Sequence, residues 1–250
     1  MKMALITGGS RGLGKSMALH LARQGRDVIL TYKSSKDEAD AVVRQIEAVS
    51  GKSVALKLDV SDSSTFDAFA NAVKAELSQK WQRENFDFLV NNAGIGTRVP
   101  FTDTSEAQFD EMVNIQLKGP FFLSQKLIPL MADGGRILNV SSGLARFTLP
   151  GFAAYSAMKG GIEVLTRYMA KELGQRRISV NVIAPGAIET DFGGGVVRDN
   201  RELNEFIASQ TALGRVGLPD DIGAAVKMLL SDDSGWINGQ RVEVSGGMFL

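Results

Sequence analysis

MALITGGSRGLGKSMALHLA, residues 3–22, runs a short apolar segment straight into a glycine-rich turn and then into a helical pattern. Residues 3–7 predict a buried strand, and the helix is expected to open near Gly12 and run to about Gln24. Gly8, Gly12 and Gly14 stand in G-x-x-x-G-x-G spacing. Glycines let a backbone turn tightly and approach a pyrophosphate closely. A helix N-terminus then offers N–H groups and a positive dipole end to that phosphate. A glycine pattern alone is weak evidence. Placed between an N-terminal strand and a helix, it makes Gly8, Ser10, Arg11, Gly12, Leu13 and Gly14 candidate contacts of a dinucleotide. A turn with only a packing role is the alternative.

The same alternation continues outward. Apolar runs at 27–32, 53–60, 86–92, 136–142, 178–186 and 242–247 predict further strands. Helical patterns over about 36–49, 62–80 and 153–174 separate several of them. Strands with little polar alternation, divided by helices, predict a parallel sheet covered on both faces. The expected architecture is a single doubly wound, Rossmann-type α/β domain spanning 1–250, with about seven strands. Residues 191–204, DFGGGVVRDNRELN, combine three consecutive glycines with polar residues and predict a flexible substrate lid.

Composition narrows the function. The 250 residues include 28 basic and 28 acidic side chains, one histidine (His20) and no cysteine. Charge balance gives no support to a nucleic-acid partner. Without cysteine and with one histidine, no transition-metal site is expected. No apolar stretch approaches the roughly 20 residues that span a bilayer, so no membrane partner is expected and the cytoplasm is the expected compartment.

The end of the second strand bears on NAD versus NADP. An acidic residue there binds the ribose 2′-hydroxyl and repels a 2′-phosphate. This chain has Tyr32, Lys33 and Ser34, with no carboxylate before Asp37. With Arg11 in the glycine loop, two cations and nearby hydroxyls favour NADP(H), and NAD(H) remains possible.

Tyr155 and Lys159 lie four apart on the long helix and therefore share a face. A nearby ammonium favours the phenolate. Taken alone, such a pair can be a surface feature. Ser141 and Ser142 end the fifth strand, Asn91 to Gly94 the fourth, and Pro185-Gly186 the sixth, all at the carboxyl edge where ligands bind in this architecture. A hydrolase reading of Ser142 needs a histidine base, and His20 is the only one.

With these residues in place, the chain resembles the short-chain dehydrogenase/reductase family over essentially its whole length. The matching motifs are TGGSRGLG (7–14), DV (59–60), NNAG (91–94), Asn114 in VNIQLKG, Ser142, YSAMK (155–159) and PGAIET (185–190). The resemblance implies Tyr155 as general acid/base, Lys159 lowering its pKa and binding the nicotinamide ribose, Ser142 positioning the carbonyl, and Asn114 holding a water in a proton relay. It also implies Asp59 and Val60 at the adenine and Asn91, Ala93 and Gly94 along the adenosine side. Pro185, Gly186, Ile188 and Thr190 fall beside the nicotinamide. Within the family, NVIAPGAIETDF and NGQRVEVSGGM are similar to the bacterial 3-oxoacyl-[acyl-carrier-protein] reductases. An acidic carrier protein needs a basic patch, for which Arg176 and Arg177 are candidates.

Leu144, Phe147, Phe152 and Phe192 are the candidate walls of an apolar substrate pocket; each can equally be core. Hydride exchange between NADP(H) and a small-molecule carbonyl or secondary alcohol is the expected activity. The alternatives are a fatty-acid-synthesis reductase and a non-catalytic NADP-binding regulator. Family members are usually tetramers, so a homotetramer is expected.

Overall fold

The computed structural model of the chain describes residues 1–49 and 51–250. In strand β1 (Met3–Ile6) successive side chains enter two different cores. Ala4 and Ile6 join one with Met17 and Leu21 of helix α1 (Gly12–Ala22), Val42 and Ile46 of α2 (Lys36–Glu47) and residues near the C-terminus such as Val226. Met3 and Leu5 join the other with Phe66, Val73 and Leu77 of α3 (Phe66–Trp81). Side chains alternate along a strand, so a strand apolar at every position needs a helical layer on each side.

Six more strands complete the sheet: β2 (Asp27–Tyr32), β3 (Ser53–Lys57), β4 (Phe86–Asn91), β5 (Met131–Val140), β6 (Ser179–Pro185) and β7 (Arg241–Val244). All pair in parallel in the order β3-β2-β1-β4-β5-β6-β7. The sheet reverses its winding direction between β1 and β4, and a ligand crevice is expected at the carboxyl edge there. The remaining helices are α4 (Glu106–Val113), α5 (Gly119–Leu127), α6 (Ala153–Glu172), α7 (Val196–Asp199), α8 (Arg201–Ser209) and α9 (Pro219–Leu229). No helix among the described residues is long and apolar enough to cross a membrane.

Three features differ from expectation. Strand β5 begins at Met131 rather than 136, because Met131 pairs with Phe86 before a register shift carries Arg136 opposite Phe88. The segment after β4 is loop and then helix as expected, but the helix is not continuous: a π-helical turn at Asn114–Lys118 divides it into α4 and α5. Most of the expected lid is helical: a 3-10 turn at Phe192–Gly195 leads into α7 and α8. Asn200 caps α8, its side chain accepting from the Leu203 N–H at 3.0 Å.

The amino edge is closed by side chains. Trp81 Nε1 donates to Asp27 at 2.9 Å, and Arg83 bonds the Met1 carbonyl and Asp87. Arg176 is engaged likewise, with Asp133 at 2.7 Å and the carbonyls of Ile128 and Met131. It therefore clamps the start of β5 and is not an open docking cation.

Candidate active site

Strand β5 delivers Ser141 and Ser142 to the carboxyl edge, and the first two turns of α6 deliver Tyr155 and Lys159. Both are buried, with only 6% and 5% of their surfaces exposed. The Lys159 Nζ lies 5.5 Å from the Tyr155 ring centroid and donates to the Val140 carbonyl at 2.8 Å. Ser142 Oγ accepts from the Leu144 N–H at 3.2 Å, which leaves its proton for the phenol oxygen.

Burial pushes the Tyr155 phenol up to about 12, and the hydrogen bond from Ser142 only partly offsets this. Burial also pushes Lys159 down to about 7. The expected lowering of the phenol by Lys159 is therefore not what the geometry produces. The ammonium is bound to a main-chain carbonyl, and desolvation drives both groups toward neutrality.

The glycine loop is held by its neighbours. Thr7 Oγ1 accepts from the Asn92 and Ala93 N–H groups at 3.0 and 2.9 Å. The Asn92 amide in turn donates to the carbonyls of Thr7 and Gly8. A side chain at Gly14 would put its Cβ 2.1 Å from the Gly8 carbonyl oxygen, so that position serves packing. Gly12 is different. Its φ of +54° suits glycine, and an added Cβ would point toward Thr190 across 3.8 Å with no closer contact among the described residues. The helix start facing Thr190 has no side-chain cap and no acid in its first turn. These residues fit a dinucleotide pyrophosphate.

Around this crevice lie the other expected contacts. Ser10, Leu13 and Tyr32 are half-buried, while Arg11 and Ser34 are exposed. The Lys33 ammonium is claimed by Asp59 at 2.8 Å. Burial works to raise the Asp59 carboxyl, but hydrogen bonds from Lys33 and Ser61 outweigh it and hold it low. The Val60 carbonyl packs on Gly119, which follows the π-helical turn opened by Asn114. Gly94 lies against the Gln116 amide and Gly186 against Ser245. Pro185 is the last residue of β6, Ile188 bridges to Gly217, and Thr190 Oγ1 accepts from the Phe192 N–H at 3.2 Å.

Two expected positions are elsewhere. Asn91 points away from the crevice: its amide donates to Ser124 at 2.9 Å and to Asn139 at 2.8 Å. Strand alternation places it on the Leu89 face, inside the sheet–helix layer, while Asn92 reaches the loop. Asn92, not among the expected contacts, is thus the loop-holding residue, and the NN dipeptide at a strand end is its signal in the sequence. Phe147 also leaves the pocket. It packs edge-on against Phe249 at 4.9 Å, in a cluster with Ile207 and Met248.

The other pocket candidates do converge. Leu144 and Phe152 pack with Tyr155, Met112 and Met158. Phe192 meets the Tyr155 ring edge-on at 5.9 Å and is itself 44% exposed. A Cβ at Gly96 would sit 2.3 Å from the Phe192 ring, so that glycine makes room for it.

A parallel sheet of this order, with a tyrosine and a lysine one helical turn apart at its carboxyl edge, defines a dinucleotide-type α/β enzyme. The family described as Enoyl-(Acyl carrier protein) reductase matches residues 8–249. The 3-oxoacyl-[acyl-carrier-protein] reductase FabG of Staphylococcus aureus is 38% identical, covering all of this chain and 98% of its own. Among solved structures, the promiscuous reductase LugOII, which catalyses keto-reduction at C1 in lugdunomycin biosynthesis, superposes with a TM-score of 0.94 at 37% identity. It covers 100% of this chain and 98% of its own. The angucycline C-6 ketoreductase LanV with bound NADP has a TM-score of 0.94 at 33% identity, covering 99% and 95%. The chain belongs to the short-chain dehydrogenase/reductase family. It is an oxidoreductase of that family, related to reductases of keto groups.

Proposed function

We propose that the protein reduces the carbonyl of an apolar, ring-bearing ketone with NADPH, Tyr155 donating the proton. The observation that carries this is the buried Tyr155 phenol, hydrogen bonded to Ser142 and framed by Phe152 and Phe192. At neutral pH it is in its protonated form, which a reduction consumes. Bound NADPH supplies the hydride. Ser142 orients the carbonyl oxygen toward the phenol, and as charge grows on that oxygen Tyr155 Oη–H donates to it. Lys159, on the same helix face, would bind the nicotinamide ribose, and Asn114, at the start of the π-helical turn, would hold the water of a proton relay. The aromatic wall excludes water from the developing alkoxide.

Lys33, Arg11 and the lack of an acid at Tyr32 support NADP(H) over NAD(H), as does the NADP held by LanV. The likeness to FabG favours a second reading, reduction of 3-oxoacyl thioesters. A regulator without turnover has no use for a buried tyrosine aimed at a crevice.

The test is initial-rate NADPH and NADH consumption with 9,10-phenanthrenequinone, simple ketones and acetoacetyl-CoA. The quinone is expected to be preferred, and preference for the thioester would move the protein to the FabG reading. Tyr155→Phe is expected to lower turnover by at least about 100-fold while NADPH still quenches tryptophan fluorescence. Unchanged turnover would remove Tyr155 from the mechanism.

A further inference from the structure

Bonded to the Ser141 hydroxyl and the Ser142 carbonyl, four charged side chains alternate in sign. Glu163 stands one turn after Lys159 on α6 and accepts from Ser141 Oγ at 2.7 Å and from Arg241 Nε at 2.7 Å. Arg241, in β7, also donates to Glu243 at 2.8 Å and to the Ser142 carbonyl at 3.3 Å. Glu243 is gripped from its other side by Arg146 through two hydrogen bonds of 2.8 Å. Arg146 ends on the carbonyls of Met248 and Phe249. The chain thus ties α6, the loop after β5, β7 and the C-terminal residues together at the two serines.

We infer that Glu163, Arg241, Glu243 and Arg146 form a charge-alternating brace that sets the position of Ser142 against Tyr155, and with it the rate of the chemical step. This rests on the Ser142–Tyr155 reading above. Ser142 is held from both sides: its own carbonyl by Arg241, and its neighbour Ser141 by Glu163. Ser141 also donates to the Lys159 carbonyl at 3.3 Å, so the serine pair and the Tyr–Lys helix share one clamp. Two acids and two bases cancel, so the brace carries no net charge toward the crevice. Burial alone would raise Glu243, yet bonds from Arg146, Arg241 and Ser245 hold it down at about 2. Glu243, at the centre of the brace, therefore keeps its charge well into the acid range. The four groups act on Ser141 and Ser142, and the phenol's hydrogen-bond partner is Ser142. They are positioning residues, and a misplacement of about 1 Å can cost about 100-fold in rate.

The test uses Glu163→Leu, Glu163→Gln, Arg241→Leu and Arg241→Lys in the full chain, with Tyr155→Phe alongside. Each is assayed with the ketone that the wild type reduces fastest, and NADPH affinity is measured separately by fluorescence titration. Both leucine variants are expected to lower kcat by at least about tenfold, with the NADPH Kd unchanged within about twofold. Glu163→Gln keeps an oxygen for Ser141 and for Arg241, so it is expected to recover most of kcat. Arg241→Lys reaches one partner rather than three and should recover less. The brace is overturned if either leucine variant keeps kcat within about twofold of wild type. It is overturned equally if kcat and NADPH binding capacity fall together with the folded fraction, or if glutamine rescues no better than leucine. An active Tyr155→Phe would instead overturn the tyrosine reading, whatever the brace variants do.

Discussion

Lys159 carries the largest cost of burial in the site. Its pKa falls from 10.5 to about 7 because the interior disfavours its charged form. Between those two values the unfolded chain holds a proton that the folded chain has released, so stability rises with pH across that window. Below about 7 both states are protonated and the contribution is flat. Tyr155 acts in the opposite sense and higher up: its pKa rises from 10.0 to about 12, so the folded chain keeps a proton that the unfolded chain loses, and stability falls there. Lys159→Met removes the first effect alone. Urea unfolding from about pH 7 to about pH 9 is expected to show wild type gaining on the variant by about 1 kcal/mol per pH unit. A gap that stays constant with pH would mean that Lys159 titrates normally. The other cation at residue scale, Lys33, is in a different position. Exposed and paired with Asp59, it can turn to a 2′-phosphate only by exchanging one anionic partner for another.

At the scale of elements, the central strands β1, β2, β4 and β6 were legible because both faces of each are covered, which leaves nearly uninterrupted apolar runs. The start of β5 was not, since Asp133, Gly134 and Gly135 interrupt the apolar run and only the pairing of Met131 with Phe86 reveals the strand. The helix α8 was hidden for a similar reason. Three glycines dominate the local pattern, whereas Ile207 is fixed by Val216 and Met248, which follow it in the chain and carry no local signal. In the site, the motif positions could be read, but not where each side chain turns. Asn91 is the clearest instance, for it belongs to a stitch between elements. Asn139, fully buried in β5, accepts from Asn91 in β4 and donates to Thr166 in α6 at 2.9 Å. Asn139→Leu would leave a buried amide and a buried hydroxyl each short of a partner. A loss of about 3 kcal/mol in chemical denaturation is expected, with the NADPH Kd little changed. A loss below about 1 kcal/mol would show that the two groups find other partners.

At the scale of the whole molecule, two groups of neighbouring apolar side chains among those left exposed bear on assembly. In one, Leu117 packs on Gly161; a turn further along the two helices Phe121 and Phe122 of α5, and Val164 and Tyr168 of α6, are exposed. In the other, Leu213 and Leu250 lie beside the adjacent glycines Gly246 and Gly247 and are exposed. Soluble monomers rarely leave apolar patches of this kind open, and a self-complementary patch pairs about a two-fold axis. Two independent patches, each joining two copies, close a set of four. The expected species in light scattering after size exclusion is therefore a tetramer. Phe121→Glu combined with Tyr168→Glu should cut it to a dimer held by the second patch, and Leu213→Glu combined with Leu250→Glu should leave a dimer held by the first. All four changes together should give a monomer. If the wild type runs as a monomer, neither patch is a self-contact. If one pair of changes alone yields monomers, the assembly uses a single interface and stops at two copies. The second pair also bears on the site, because Leu213 lies against Gly246 beside the C-terminal residues that Arg146 holds. Loss of that interface is accordingly expected to lower kcat, and loss of the first interface to leave it within about twofold.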